Sequence, residues 1–454
     1  MNASPGGSAK AGGGTLVASA VLASLGSFLF GFDTAVISGT TDSLRTVFQL
    51  TDNTLGFTVS SALLGTMVGS LIVGRPADWW GRRKMLALLA GLFLLSSVGC
   101  AGAWNWYALL FFRWLGGIAV GAASVACPVY ITEIAPSRQR GALVAVSQLN
   151  IVIGVLLSYL SNYLVARFIG TDNTVIWRYM FGVMIVPSAI FLLAAAYIPE
   201  SPRWLVKQGR SVEAVIVLVR LGRSDAEAER AEIAASLKQE MSGPHQRLLQ
   251  RKYLRPLLLA FMIAAFNQLD GINAVTYYTA DIFRMTGASK TSALMQTVMV
   301  GLTNLTLTLV AMVLIDRVGR KALLLAGSVT FVLSHLLAAW VFQTHAQGWV
   351  VMLAMAGIVG SHAYSQGAVV WVCINEILPN AVRASGSAVA CCLLWILDIA
   401  VSWSFPVVAG KAGAYAFGFF ALMMVVQFFM VLKYWPETKG VSLEELQRRL
   451  GVEA

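Results

Sequence analysis

Six ionisable side chains sit where such groups are expensive. Asp33, Arg113, Asp270, His335, His362 and Asp398 each fall within a long apolar run. A charge in lipid is costly and marks function by default. Asp33 and Arg113 carry opposite signs, so together they offset much of each other's desolvation penalty. A proton added to Asp33 breaks that pairing, which is the chemistry of a proton-driven switch. The alternative is a static pair that ties two helices together. Asp270 and Asp398 have two readings of equal weight: each is an additional polar site that takes a proton or accepts ligand hydroxyls, or each only tunes the polarity of a wet cavity. His335 and His362 each sit alone in a span and read as hydrogen-bonded packing residues, with a titrating role as the alternative. Beside Asp270 stand three amides, Asn267, Gln268 and Asn273, crowded around Gly271. Amides both donate and accept. A glycine loosens a helix, and irregular backbone at membrane depth is tolerated where it lines a cavity. No Gly-rich phosphate loop, metal-ligand spacing or nucleophile motif accompanies these residues, so neither an enzyme nor a cofactor or metal is expected.

Membrane spans must position them. Of 454 residues 57% are hydrophobic and 12% charged, against about 25% charged in soluble domains. Mean hydropathy is +0.71, which excludes a water-soluble protein. The apolar runs are continuous rather than alternating, which excludes a β-barrel. Twelve spans of roughly 20 residues need about 240 residues, and twelve segments fit. They lie near 16–39, 57–77, 85–104, 107–131, 141–165, 177–198, 255–284, 292–315, 322–343, 349–375, 384–409 and 413–434. The net charge of +11 suits short basic loops, not nucleic acid. With both termini in the cytoplasm, most Lys and Arg fall on the cytoplasmic side. The five cysteines lie in apolar stretches and read as small buried hydrophobes.

The expected organisation is an all-α membrane protein. Residues 1–15 form a disordered tail, 16–198 a six-helix half, 199–254 a cytoplasmic helical linker, 255–434 a second half and 435–454 a cytoplasmic tail. In the linker Val212, Val215, Ile216 and Val219, then Ile233 and Leu237, recur at helical spacing. The halves repeat each other. Glu133-Ile-Ala-Pro-Ser-Arg-Gln-Arg140 matches Glu376-Ile-Leu-Pro-Asn-Ala-Val-Arg383. Asp78…Gly81-Arg82-Arg83 matches Asp316…Gly319-Arg320-Lys321, and Pro199-Glu200 matches Pro436-Glu437. Gly31-Phe-Asp-Thr-Ala-Val36 echoes Gly271-Ile-Asn-Ala-Val275. These pairs share an offset of about 240 residues. Parallel repeats of this kind are a mark of secondary transporters, with the site near the midplane where the halves meet.

At these residues the chain resembles the major facilitator superfamily and, within it, the sugar porter family, over about residues 16–448. Gly74-Arg-Pro-Ala-Asp-Trp-Trp-Gly-Arg-Arg-Lys84 resembles the superfamily's loop between helices 2 and 3. Pro199-Glu-Ser-Pro-Arg-Trp204 and Pro436-Glu-Thr-Lys-Gly440 resemble the two sugar-porter signatures. Gln268-Leu-Asp-Gly-Ile-Asn273 resembles the sugar motif of helix 7, and Arg113-Trp-Leu-Gly-Gly117 that of helix 4. Bacterial xylose–proton symporters are the most similar in appearance.

The resemblance implies a carrier that imports a monosaccharide with a proton by alternating access, in a bacterial inner membrane and as a monomer, with Asp33 and Arg113 as the coupling pair. It implies a sugar site of Gln148, Asn267, Gln268, Asn273 and Asn304 with the aromatic residues Phe30, Tyr277, Trp371 and Trp395. An uncoupled sugar uniporter and a proton symporter of a cyclic polyol such as inositol are the alternatives. Asn267 stands where the family usually has Gln, Leu394 and Val155 where xylose symporters have Gln, and Ala368 where a Pro is usual, which leaves the particular sugar open and suggests a looser hinge in helix 10. A cytoplasmic gate is expected from Asp78, Arg82, Glu133, Arg140, Glu200 and Arg203 in the first half. Asp316, Arg320, Glu376 and Arg383 face them in the second, with salt bridges running between the halves when the carrier faces out.

Overall fold

The computed structural model describes residues 6–136, 138–242, 248, 250–379, 381–441 and 443–452. Among them there are helices and turns and no strand. α1 (Gly6–Ala23) and α2 (Leu25–Phe48) build the first span and α3 (Asp52–Ile72) the second. The short α4 (Gly74–Trp80) turns the chain into α5 (Arg82–Gly102). α6 (Trp106–Ile134) and α7 (Arg140–Ile169) follow, and α8 (Ile176–Gly182) with α9 (Ile185–Ala195) completes the first six. α10 (Pro202–Lys207), α11 (Ser211–Arg220) and α12 (Ala226–Ser242) form the linker. The second six are α13 (Leu254–Leu269) with α14 (Ile272–Met285), then α15 (Lys290–Val318), α16 (Arg320–Thr344), α17 (Trp349–Tyr364) with α18 (Gln366–Ile377), and α19 (Arg383–Tyr434). α20 (Leu443–Arg449) comes last.

Among the described residues ten helical runs are long and apolar enough to cross a membrane. One of them is α19, 52 residues with a non-helical break at Ala412, and it supplies two spans. The tenth span is divided between α17 and α18, each too short to count alone. Twelve spans result.

Local chemistry sets several starts. Thr51, Asn105 and Ser289 each accept a backbone N–H three residues on, from Thr54, Ala108 and Ser292, which satisfies a donor the helix leaves free. The seventh span breaks at Gly271, whose φ of +75° lies in the left-handed region that favours glycine. The tenth breaks at Ser365 although Ala368 replaces a proline. The hinge is held by buried Gln366, whose Nε2 donates to Gln427 Oε1 at 2.5 Å.

Helical structure begins at Gly6, inside the stretch expected to be a disordered tail; residues 1–5 lie outside the described residues. The Gly/Ala/Ser run lacks the apolar face that would announce a helix, but extending an existing helix is far easier than nucleating one. The linker is helical at the expected positions. Its α11 turns Val212, Ile216 and Val219 outward and buries Ala214 and Leu218, so the residues that set the helical spacing are not the packed face.

The two sets of six spans pack along α2 with α14, α7 with α15 and α3 with α19. From the middle of the bundle to the end that carries Asp42, bonds cross between them. Tyr159 Oη donates to the Thr276 carbonyl at 2.9 Å. The Ala280 N–H donates to Ser38 Oγ at 3.3 Å, and Trp403 Nε1 donates to Asn53 Oδ1 at 2.9 Å. Asp42 pairs with Arg284 at 2.7 Å and Lys290 at 3.0 Å.

Candidate functional site

Asp33 on α2 and Arg113 on α6 meet in the interior of the first half. Arg113 Nη1 lies 3.4 Å from both carboxylate oxygens, and the two side chains are 8% and 3% exposed. Charge-assisted N–H···O bonds usually measure about 2.7–2.9 Å, so this pair is loose. Arg113 Nε has no hydrogen-bond partner, and its guanidinium carbon stands 5.7 Å from the centre of the Phe181 ring. The cation is thus held by one carboxylate and an aromatic face.

The helix 7 amides form one hydrogen-bonded chain across the break. Gln268 Nε2 donates to Asn267 Oδ1 at 3.0 Å, and Asn273 Nδ2 donates to Gln268 Oε1 at 2.7 Å. Tyr277, one turn past Asn273, is buried. On α15, Asn304 is half-buried and accepts from Thr308 Oγ1 at 3.4 Å. Gln148 on α7 and Phe30 on α2 are half-buried. Trp395 is buried, with its Nε1 lacking any oxygen or nitrogen acceptor and only the Cys391 thiol nearby. Trp371 differs from the others at 46% exposed.

Asp270 and the two histidines, expected to be unrelated, form one cluster. His362 Nδ1 lies 2.9 Å from Asp270 Oδ2, and His335 Nε2 lies 2.8 Å from the Asp270 carbonyl. His335 is stacked among Phe331, Phe417 and Phe420. His335 is thus a hydrogen-bonded packing residue, as expected, whereas His362 faces a buried carboxylate. Sequence spacing gave no sign of this, because Asp270, His335 and His362 come from three different spans. Asp398 is fully buried. Ser402 Oγ donates to its Oδ1 at 3.0 Å, the Asn273 amide stands beside it, and its Oδ2 makes no hydrogen bond.

At the opposite end from Asp42 the repeated motifs close the same corner twice. In the first half Arg82 grips Glu133 with two prongs, at 2.9 and 2.8 Å, and reaches Asp78 at 2.8 Å. Glu200 accepts the Arg82 N–H at 2.8 Å and the Arg83 N–H at 3.2 Å. Burial works against the Asp78 carboxylate, yet hydrogen bonds from Lys207 and Arg82 and their charges hold it below the usual carboxylate range. In the second half Arg320 pairs with Glu376 at 3.2 Å, and Glu437 accepts the Arg320 and Lys321 N–H groups, each at 3.2 Å. Gly81 and Gly319 sit at φ +91° and +100°, and a Cβ there would meet Glu200 and Glu437 at 2.3 and 2.8 Å.

Each of these contacts stays within one half. The salt bridges expected from Glu133, Arg140, Glu200 and Arg203 across to Glu376, Arg383, Asp316 and Arg320 are not among them. Glu133 has both oxygens taken up by Arg82. Arg140 is exposed, Arg383 donates its Nε to the Leu378 carbonyl, and the side chain of Asp316 lies outside the described residues. Sequence reasoning also missed Glu437 as the counterpart of Glu200 in this corner, although the Pro-Glu repeat named it.

A two-half bundle of twelve spans with a charge pair and an amide cluster in its interior is the architecture of a major facilitator carrier. The chain matches the family model described as sugar (and other) transporter over residues 19–450. It is 36% identical over 470 residues to the D-xylose-proton symporter of Escherichia coli (strain K12), covering 94% of each chain. It is 35% identical to the arabinose-proton symporter of Bacillus subtilis (strain 168), covering 94% of this chain and 93% of that one. Among solved structures, the partially occluded inward open conformation of the E. coli xylose transporter XylE matches with a TM-score of 0.84 at 34% identity, covering 94% of this chain and 100% of that one. XylE bound to 6-bromo-6-deoxy-D-glucose matches with a TM-score of 0.79 at 36% identity, covering 96% and 99%. The chain belongs to the sugar transporter family and is a multi-pass membrane protein.

Proposed function

We infer that the chain imports a monosaccharide together with a proton, by alternating access across a bacterial inner membrane, as a monomer in the lipid bilayer. The observation that carries this reading is the buried, loosely held pair of Asp33 and Arg113 beside an interior amide cluster. Both termini and the Gly74–Lys84 loop face the cytoplasm, in keeping with the basic loops at that end. The end closed by Asp42, Arg284 and Lys290 is then the outside, and the structure is inward-facing. Its likeness to inward open XylE supports that orientation.

A proton from outside neutralises Asp33 and releases Arg113. With sugar bound, the carrier reorients, and both leave to the cytoplasm. Each proton crossing with the membrane potential contributes about 2.3 kcal/mol per 100 mV. The sugar is held by Gln148, Asn267, Gln268, Asn273 and Asn304, with Phe30, Tyr277, Trp371 and Trp395 against its C–H faces. Each neutral hydrogen bond adds only about 1 kcal/mol net, so several are needed and release stays fast. In the outward-facing state Glu133, Arg140, Glu200 and Arg203 exchange their present partners for Glu376, Arg383, Asp316 and Arg320. Intra-half pairing in the inward-facing state fits such an exchange, because it keeps the same charges occupied when the mouth is open.

The test is uptake of radiolabelled sugars by proteoliposomes under an imposed inward proton gradient. Sugar-driven alkalinisation outside supports coupled import. Uptake without proton movement favours the uncoupled uniporter, and preference for inositol in competition favours the cyclic-polyol reading.

A further inference from the structure

Asp270 is fully buried at the break of the seventh span, and every acceptor it has is engaged. Oδ1 takes the Ile272 N–H at 2.9 Å, Oδ2 faces His362 Nδ1 at 2.9 Å, and its carbonyl faces His335 Nε2 at 2.8 Å. The carboxylate has no solvent exposure, whereas the His362 side chain is 20% exposed. The accessible part of the pair is therefore the imidazole. The titratable groups around it are His335 on α16, His362 on α17 and Asp398 on α19, which the Asn273 amide links to the cluster. Among the described residues no Lys or Arg forms an ion pair with Asp270.

A bare carboxylate in such a place is costly, and one proton shared with an imidazole removes its net charge. An imidazole also changes charge within the range of pH that cells meet. We propose that Asp270 and His362 form a second proton-binding site, separate from Asp33 and Arg113, which ties the bend of the seventh span to proton occupancy. The proposal rests on the coupled-transport reading.

The location gives that proton leverage in two directions. On one side, Ile272 adjoins Asn273, so the clamp on the Ile272 N–H is next to the amides proposed to hold the sugar. On the other, α14 carries the contacts that close the outer end: the Thr276 carbonyl to Tyr159, the Ala280 N–H to Ser38 and Arg284 to Asp42. With the proton, the pair is neutral overall and its burial at the break is tolerated. Without it, the carboxylate carries an uncompensated charge, which burial there disfavours.

Equilibrium exchange of labelled xylose in proteoliposomes, with equal pH on both sides, tests this. The wild type, Asp270→Asn, His362→Gln and Asp33→Asn are compared from about pH 5.5 to about 8.5, each scaled to its own maximum. The expected result is that exchange by Asp33→Asn still falls at least about tenfold as pH rises. Adding either Asp270→Asn or His362→Gln should reduce that fall to no more than about twofold. Two substitutions on different spans guard against a folding defect in one. A flat profile in Asp33→Asn alone, or a steep one that survives both added substitutions, overturns the proposal. If the wild type exchanges none of a panel of labelled sugars, the transport reading itself fails. Exchange without the second pH dependence removes only this site.

Discussion

Both oxygens of Asp33 lie 3.4 Å from Nη1 of Arg113, with the two side chains walled off from solvent. The equal distances describe a carboxylate that faces one guanidinium nitrogen symmetrically without a short bond to it. Arg82 with Glu133, in the same half, shows a tighter two-pronged grip at 2.9 and 2.8 Å. One protein thus holds a tight arginine–carboxylate pair at its edge and a loose one at its centre, and the loose one needs less to break.

The amide chain predicts a graded loss of sugar affinity. Gln268→Ala and Asn273→Ala each remove a hydrogen bond worth about 1 kcal/mol, so Kd should rise about fivefold to tenfold. Gln268→Ala should be the more severe, since Gln268 is the middle of the chain and its loss leaves both Asn267 Oδ1 and Asn273 Nδ2 without their partner. Calorimetric titration of detergent-solubilised protein with xylose, arabinose and glucose measures this. Unchanged Kd in both variants would remove helix 7 from the site.

Asp42 holds two cations of the other half at once, across a recess of about 650 Å³ lined by Asp42, Arg45, Asp52, Asp281, Arg284 and Lys290. Exposed bridges contribute about 0–1 kcal/mol each. Asp42→Asn should therefore shift the balance toward the outward-facing state by up to about tenfold. Spin-label distances between the outer ends of α2 and α14 should lengthen in a larger fraction of molecules; an unaltered distribution would show that these bridges do not bias the state.

Gly81 is pinned twice, by its φ and by Glu200 Oε2, which a Cβ would approach to 2.3 Å. Gly81→Ala should destabilise the protein by about 1–3 kcal/mol, and Gly319→Ala less, because the clearance to Glu437 is 2.8 Å. Thermal unfolding in detergent gives the order. Equal midpoints for both variants and the wild type would contradict the reading of these corners.

The proposed outward-facing latch makes Arg140 and Arg383 needed for turnover but not for binding. Arg140→Gln and Arg383→Gln should cut net transport at least about tenfold and leave sugar Kd unaltered. Normal transport in both would dispose of the latch.

The sequence carried the span count and the repeat because both rest on local signals: apolar run length and motifs at one offset. The pairing of Asp33 with Arg113 was legible for a similar reason, since an acid and a base were each stranded in an apolar run. What could not be read was geometry made by three spans at once. Asp270, His335 and His362 are distant in the chain, and only packing of α16 and α17 against the Gly271 break unites them. The present partners of Arg82 and Glu133 could not be read either, because nothing in their spacing says that a bidentate fork joins them inside one half. The break in the tenth span survived the loss of proline because a buried Gln366–Gln427 contact, invisible to local rules, holds it.

Uphill accumulation by Asp33→Asn is the most direct test. In proteoliposomes with an imposed inward proton gradient, the wild type should concentrate labelled sugar above the outside level. Asp33→Asn should stop at equal concentrations while still exchanging internal for external sugar. Accumulation by Asp33→Asn to the wild-type level would contradict the account.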